Sequence, residues 1–121
     1  MYGAYGHSLH ADHRPEWGPM LQRGWVLAQL HVRGGGEKGR GWHRAGREGN
    51  KGTSVSDAIA CLEHLQTAGV APAGRVVLRA ESAGGVVAGS VLVSAAATAA
   101  VGAEGMDGSS VAPRLLLTDS Q

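Results

Sequence analysis

Ser82 is the residue whose surroundings best suit covalent chemistry, because it lies between two segments of different predicted structure. An apolar, β-branched run ends just before it, and a run of small residues that favours a helix begins just after it. A serine on such a tight strand-to-helix turn exposes its hydroxyl as a nucleophile, and the amides that open the helix favour the negative charge that develops. The pentapeptide Ala80-Glu81-Ser82-Ala83-Gly84 differs from Gly-x-Ser-x-Gly by one alanine. The alternative is a serine that only caps the helix.

The base that such a serine needs is missing from its expected place. Where a hydrolase uses this turn, the acid and then the histidine of its triad follow the serine along the chain. Glu104, Asp107 and Asp119 follow Ser82, but the last histidine of the chain is His64. A serine hydroxyl is a weak nucleophile until a base removes its proton. We therefore expect a nucleophile without its base.

Three histidines near the amino terminus are the candidate metal ligands. His7, His10 and His13 recur at steps of three, and Asp12 lies beside them. Imidazole and carboxylate groups ligate zinc, but no cysteine lies nearby to complete a tetrahedral set. The alternative is a solvated loop, and we expect neither a metal nor a cofactor.

The glycine-rich segment 33–51 is the candidate for binding nucleic acid or phosphate. It contains six lysine and arginine residues against two glutamates, and such residues supply non-specific affinity for nucleic acid. It lacks the Gly-Lys-Ser/Thr ending of a phosphate-binding loop, and the net charge of the chain is only +1. The alternative is a solvated surface, and we expect no nucleic-acid partner.

Length and composition limit what can position these residues. With 121 residues and 20 glycines, the chain can form one small domain with a thin core. A single cysteine excludes an internal disulfide, and the first residues lack the pattern of a signal peptide, so we expect a cytoplasmic protein. The uncharged run 82–103 is rich in alanine, glycine and serine, which predicts a packed helix and no membrane span.

Four segments have the periodicity of secondary structure. The sequence predicts a buried strand over 25–32, a helix over 53–68, a short strand over 75–80 and a helix over about 83–100. Strands that alternate with helices in this order are typical of an α/β fold, a parallel sheet with crossover helices. From residue 94 onward the chain is rich in alanine, serine and glycine, and we expect a weakly structured tail.

The helix predicted over 53–68 carries its own boundary signals. Thr53 or Ser54 can serve as the N-cap, and the sequence from Ser54 to Asp57 resembles a capping box. Gly69 suits the left-handed position that ends a helix. Cys61 lies beside the apolar stripe and is expected to be a buried, small hydrophobic residue.

Six short motifs follow one another in a specific order. They are Tyr2-Gly-Ala-Tyr-Gly6, Gly24-Trp-Val-Leu-Ala28, His31-Val-Arg-Gly-Gly-Gly-Glu37, Gly41-Trp-His-Arg-Ala-Gly46, Asn50-Lys51 and Ser82-Ala-Gly-Gly85. In order and spacing, these motifs resemble the catalytic domain of the prolyl oligopeptidase family over residues 2 to about 93. Within that family they are most similar to the prolyl endopeptidase-like branch, followed by the oligopeptidase B branch.

The resemblance implies an α/β-hydrolase fold and the hydrolysis of peptide or ester bonds by a Ser-Asp-His triad. By position, Ser82 corresponds to the nucleophile. Tyr2 corresponds to a tyrosine whose hydroxyl helps to hold the oxyanion, and the backbone N–H of Ala83 would be the second donor. The segment 33–42 resembles a loop near the active-site face, to which we assign no catalytic role, and Trp42 and His43 could either line a substrate site or pack.

The chain also departs from the family pattern. It resembles neither the domain after the nucleophile helix nor the family's β-propeller, and Met1 stands where a central strand would lead into Tyr2. In the family sheet that strand lies between the two strands predicted here, so we expect both to have unpaired edges. We therefore expect residues 1–93 to be a partial catalytic domain and residues 94–121 a divergent tail, as in a fragment.

The function expected from the resemblance is that of a serine hydrolase or peptidase that is inactive on its own. The alternative is a catalytically inactive fragment that acts, if at all, as a binding or interaction module. We expect a peptide or ester substrate, no membrane and no obligate partner.

Overall fold

The computed structural model of the chain describes residues 1–72, 74–94 and 114–117. Its helices and strands are, in order, α1 (Gly18–Gln22), β1 (Trp25–Ala28), α2 (Gly39–Arg44), α3 (Lys51–Thr67), β2 (Val76–Leu78), α4 (Gly84–Val93) and β3 (Arg114–Leu117). Short 3₁₀ turns, Pro15–Trp17 and Glu48–Asn50, precede α1 and α3. The predicted order of strand, helix, strand and helix is confirmed in β1, α3, β2 and α4.

The three strands form one parallel sheet in the order β1-β3-β2. Along β1 the pairing runs from Trp25 opposite Arg114 to Ala28 opposite Leu117, and β2 pairs with the other side of β3. The parallel sheet is therefore confirmed. The expectation that β1 and β2 have unpaired facing edges is wrong, because a strand from the segment assigned to the tail lies between them. Apart from Ser94, the rest of that tail lies outside the described residues.

One face of the sheet carries the core. The strand residues Val26, Ala28, Val76 and Leu78 belong to the same apolar cluster as the helices. The buried helical members of this cluster are Ala58 and Leu62 of α3 and Val87, Ala88 and Val91 of α4. Successive side chains of a strand point to opposite faces, and Val77 on the other face is 45% exposed. The prediction that the first strand is buried is only partly correct, because all four residues of β1 are half-buried.

Both strands are shorter than predicted. The runs 25–32 and 75–80 contain strands of only four and three residues, which pair with β3 at four and three positions. Leu30 and Val32 are buried in the core beyond the end of β1. The length of the apolar run therefore does not give the length of the strand.

The helix predicted over about 83–100 ends at Val93 within the described residues. Ser94 follows it with an extended backbone, and its hydroxyl donates a hydrogen bond to the carbonyl of Val91 at 2.8 Å. Residues 95–100 of the prediction lie outside the described residues. In the part of the chain that is described, no helix is both long and apolar enough to cross a membrane.

The sequence predicts the end of α3 correctly but not its beginning. The helix begins at Lys51, and the N-cap is Asn50, which makes no capping hydrogen bond through its side chain, so the prediction of Thr53 or Ser54 as N-cap is wrong. At the other end, Gly69 has a φ of +71°. The N–H of Gly69 donates to Gln66 and that of Val70 to Leu65, both at 2.9 Å. This is the paired pattern of a glycine-terminated helix, which confirms the predicted end.

Cys61 lies at the edge of the core, partly buried against the apolar cluster. Burial raises the pKa of its thiol above the usual value, and the charge of Asp57 adds to the effect. A thiol with a raised pKa is less reactive. The prediction of a small hydrophobic residue is consistent with this environment, although the side chain is only partly buried.

Two glycine substitutions, one in α3 and one just after its end, should change stability in opposite directions. Gly69→Ala is expected to lower the free energy of unfolding by about 1 kcal/mol, because a side chain is strained in the left-handed region. Gly52 lies in the helix with open space around its Cβ position, so Gly52→Ala should raise that free energy by about 0.5–1 kcal/mol. Chemical denaturation measures both values. A Gly69→Ala protein as stable as Gly52→Ala would contradict the left-handed helix end.

Candidate active site

Ser82 lies on the turn between β2 and α4, where the sequence predicted it. Its φ is +51°, a left-handed backbone that costs a non-glycine residue about 1–2 kcal/mol. The amides of Gly84 and Gly85 donate to the carbonyls of Glu81 and Ser82 at 2.9 and 3.0 Å, which closes the turn and opens the helix. Ser82 itself is exposed. The turn therefore has the strained strand-to-helix geometry that presents a nucleophilic serine.

Tyr2 and Ala83 lie together beside this turn. Tyr2 is only 4% exposed and forms a small apolar cluster with Ala4 and Leu9. Ala83, the residue after Ser82, packs against this cluster. The two residues that the resemblance assigns to oxyanion binding therefore belong to one packed unit. Tyr5, the second tyrosine of the same motif, is 74% exposed.

The turn that follows Tyr2 rests on the backbone of the glycine-rich loop 33–36. The N–H of Gly6 donates to Gly34 at 3.1 Å, and the N–H of Gly36 donates to His7 at 2.9 Å. A Cβ on Gly34 would lie 2.2 Å from the carbonyl oxygen of Gly3, so only glycine permits this approach. The loop acts as a backbone platform under the Tyr2 turn.

Lys51 joins the Tyr2 turn to the first turn of α3. Its ammonium group donates a hydrogen bond to the carbonyl of Gly3, next to Tyr2. Partial burial lowers the pKa of Lys51 below the usual value, because removal from water disfavours the charged form. The interaction ties the Tyr2 turn to the longest helix of the described chain.

Arg33 holds the other side of the platform through Asp57 of α3. The guanidinium donates to both carboxylate oxygens, with Nε–Oδ2 at 2.8 Å and Nη2–Oδ1 at 2.5 Å, and the backbone N–H of Arg33 donates to Oδ2 at 2.9 Å. These hydrogen bonds lower the pKa of Asp57 below its usual range. The fully buried hydroxyl of Ser54 donates to the carbonyl of Arg33. The predicted capping box is therefore wrong, because Ser54 and Asp57 bind a distant loop instead of their own helix end.

A cleft of about 460 Å³ opens beside the platform. Its polar and reactive lining includes Tyr5, His43, Arg47, Glu48 and Lys51, and it reaches Ala83. His43 Nδ1 lies 2.8 Å from the carbonyl oxygen of Gly34. Because a carbonyl only accepts hydrogen bonds, Nδ1 is the donor of this pair. The cleft therefore offers hydrogen-bond donors and one carboxylate next to the Ser82 turn.

Trp42 and His43 have different environments although they are neighbours. The ammonium of Lys38 and the guanidinium of Arg33 lie 4.7 and 6.0 Å from the centre of the Trp42 ring, within the range of cation–π attraction. Within the described chain, the indole nitrogen of Trp42 is buried without a hydrogen-bond partner. Trp42 is therefore in a packing environment, whereas His43 lines the cleft.

The amino-terminal histidines do not come together with other ligands. The described residues contain no group of three His, Cys, Asp or Glu side chains that could hold a metal ion. The ring of His7 instead lies 6.0 Å from that of Tyr2 in an edge-on arrangement.

Residue spacing gave no sign of the parts played by Lys51 and Asp57. Both lie on α3, and their contacts are 48 and 24 residues away along the chain. The only available signal for Lys51 was its place in the Asn50-Lys51 motif. Asp57 had none beyond the local pattern that suggested a cap.

Comparison with known proteins identifies relatives over most of the chain. The sequence profile of the prolyl oligopeptidase family matches residues 11–105. The chain is 44% identical over 91 residues to "Prolyl endopeptidase-like" from Homo sapiens, which is 75% of this chain and 12% of that protein. It is 37% identical over 90 residues to "Protease 2" from Moraxella lacunata (74% and 13%), and 38% identical over 90 residues to "Dipeptidyl aminopeptidase BI" from Pseudoxanthomonas mexicana (74% and 12%). No solved structure gives a significant match.

Asp57→Asn should weaken the platform and change the acid sensitivity of the protein. The free energy of unfolding at neutral pH is expected to fall by about 1.5–3 kcal/mol, the usual contribution of hydrogen bonds to a charged group. Because the folded-state pKa of Asp57 is lowered, its contribution is complete above the unfolded pKa of about 4 and disappears as the pH falls through the folded pKa. Denaturation from about pH 5 to pH 3 should therefore cost the wild type more stability than Asp57→Asn.

The control for this prediction is an exposed ion pair. Glu16 lies 3.8 Å from Arg14, and Glu16→Gln should change the free energy of unfolding by less than about 0.5 kcal/mol. Identical pH dependence in the wild type and in Asp57→Asn would show that Asp57 does not anchor the loop.

Proposed function

Because the chain belongs to the prolyl oligopeptidase family, we propose that it is a serine hydrolase segment in which Ser82 holds the position of the nucleophile. The observation that carries the proposal is the left-handed backbone of Ser82, at a φ of +51°, between β2 and α4. The family implies an α/β-hydrolase fold, and the parallel sheet agrees with it. The relatives' names include a protease and an aminopeptidase, which favours a peptide bond as the one cleaved, with an ester as the alternative.

In the proposed reaction, Ser82 supplies the nucleophile, and two nearby residues stabilise the charge that develops. The hydroxyl oxygen of Ser82 attacks the carbonyl carbon of the substrate, and its proton passes to a base. The negative charge that develops on the carbonyl oxygen is stabilised by the N–H of Ala83 and the hydroxyl of Tyr2. The packing of Ala83 against the cluster that contains Tyr2 supports this division of roles, because it brings the two residues into one packed unit.

Whether these residues alone can react depends on a base that accepts the proton of Ser82. The sequence contains no histidine after Ser82, whereas the triad of an α/β-hydrolase takes its histidine from there. We therefore propose that the 121 residues alone do not hydrolyse a substrate. Without a base, only the oxyanion donors and substrate binding would contribute to the rate.

A binding role without catalysis is the second candidate. The cleft beside Ala83 supports it, because an extended peptide could occupy this space whether or not Ser82 reacts. The two candidates differ in whether Ser82 becomes reactive when a base is supplied.

Labelling with a fluorophosphonate probe in the presence of free imidazole separates them. Without imidazole, labelling should equal that of Ser82→Ala. With imidazole as a soluble base, labelling of the wild type should rise by about tenfold or more, since a positioned base contributes about 10²–10⁴-fold and a soluble one recovers part of that. Mass spectrometry should locate the label on Ser82. Ser90→Ala is the control, because the Ser90 hydroxyl is bonded within α4 to Val86 and should not affect labelling.

The oxyanion role of Tyr2 is tested in the same assay. Tyr2→Phe should lower the imidazole-dependent labelling rate by about tenfold or more, because it removes one oxyanion donor. Labelling that imidazole does not raise, or that persists in Ser82→Ala, would contradict the proposed nucleophile and leave the binding role. Imidazole-independent labelling that disappears in His43→Ala would show that the cleft already contains a base.

A further inference from the structure

The space between β1 and β2, called the interval from here on, has the width of one strand. β1 and β2 do not pair with each other; they lie one strand apart, and β3 occupies the space between them, parallel to both. At the centre of this arrangement Leu116 is the register partner of Leu27 on one side and of Val77 on the other. The interval therefore binds its occupant through two backbone edges at once.

An empty interval would be costly for so small a sheet. The facing edges of β1 and β2 would each present unpaired N–H and C=O groups, and such groups are destabilising when they lie away from water. Strands of four and three residues that do not touch each other cannot form a sheet, since even a paired two-stranded ribbon is only marginally stable. The core side chains of both strands would lose their common support.

The segment Arg114–Leu117 suits the interval both in its composition and in the way the chain connects it to β2. Residues 115–117 are three consecutive leucines, whereas residues 94–112 consist mainly of alanine, serine and glycine. Pro113 directly precedes the strand, a position where the missing N–H of proline does not interrupt the ladder. The order β2, α4, β3 also supplies the long crossover that parallel neighbours require.

We infer that the interval between β1 and β2 is a strand-binding site whose partner is the segment Arg114–Leu117 of the same chain, and that its occupation holds the Ser82 turn. The mode is parallel strand addition, in which main-chain hydrogen bonds provide the affinity. β1 leads into the platform of loop 33–36, and β2 leads into Ser82. A strand in the interval therefore fixes the ends of β1 and β2, from which the chain enters the platform and the Ser82 turn. This holds whatever chemistry Ser82 performs.

A disulfide cross-link in the full chain tests the occupant and its register. In a Cys61→Ser background, which removes the single native thiol, Val77→Cys is combined with Leu116→Cys. Adjacent strands lie about 4.8 Å apart, within the Cα separation that a disulfide spans. The matched control combines Val77→Cys with Leu115→Cys, which moves the second cysteine by one register position, to the opposite face of the pleat.

The expected result is a monomer with an internal disulfide in the Val77/Leu116 variant and at least about tenfold less in the control, since a one-residue shift changes the face. Equal cross-linking in the two variants, or none in either, would overturn the inference. Disulfide-linked dimers in place of monomers would overturn it as well, because the strand would then come from a second copy.

Hydrogen exchange provides a readout that needs no cysteine. Leu116→Pro removes an N–H from the middle of β3, and Ser109→Pro places the same ring outside the strand. In Leu116→Pro, the amides of β1, β2 and residues 81–85 should exchange at least about tenfold faster than in Ser109→Pro, because a central strand does not tolerate proline. Equal exchange in the two proline variants, or wild-type exchange of residues 115–117 at the rate of an unstructured peptide, would refute the strand-binding site.

Discussion

The left-handed backbone of Ser82 is the constraint on which the rest of the structure depends. A non-glycine residue at a φ of +51° is strained by about 1–2 kcal/mol, and such strain persists only where the surrounding structure fixes both flanks. β2 is held on one flank by pairing with β3. α4 is held on the other by Val87 and Val91, which are fully buried in the core. The serine can stay in this conformation because the elements on either side have little freedom to relax it.

A polar network holds the Tyr2 turn in place, just as the apolar core holds the elements on either side of Ser82. The chain has few large aromatic residues, and its apolar core is formed mostly by alanine, valine and leucine. Three side chains of α3 hold the Tyr2 turn and the loop under it instead. Lys51 donates to Gly3 of the turn, Ser54 donates to Arg33 of the loop, and Asp57 accepts hydrogen bonds from the guanidinium and the backbone N–H of Arg33. One helix thereby positions the turn that carries the proposed oxyanion hydroxyl, while the proposed nucleophile lies on the turn that precedes α4.

Features encoded by neighbouring residues could be predicted from the sequence. The position of Ser82 follows from a β-branched run next to a run of small residues, and the end of α3 follows from Gly69. Ser54 and Asp57 were misassigned because the same hydroxyl and carboxylate can satisfy a local cap or a distant loop, and spacing does not distinguish the two. β3 was missed because Arg114–Leu117 has no alternating pattern and its partners are far away along the chain. The lengths of β1 and β2 could not be foreseen either, because the apolar runs continue beyond the paired residues.

The most direct measurement compares the unfolding free energies of Ser82→Gly and Ser82→Ala. Both variants lose the hydroxyl, and they differ only in the Cβ atom. If Ser82 is held in the left-handed region, the glycine variant should be the more stable by about 0.5–1 kcal/mol, because relief of the Cβ strain exceeds the extra flexibility of glycine in the unfolded chain. An alanine variant that is equally or more stable, as at ordinary backbone positions, would contradict the strained turn from which the proposed function is argued.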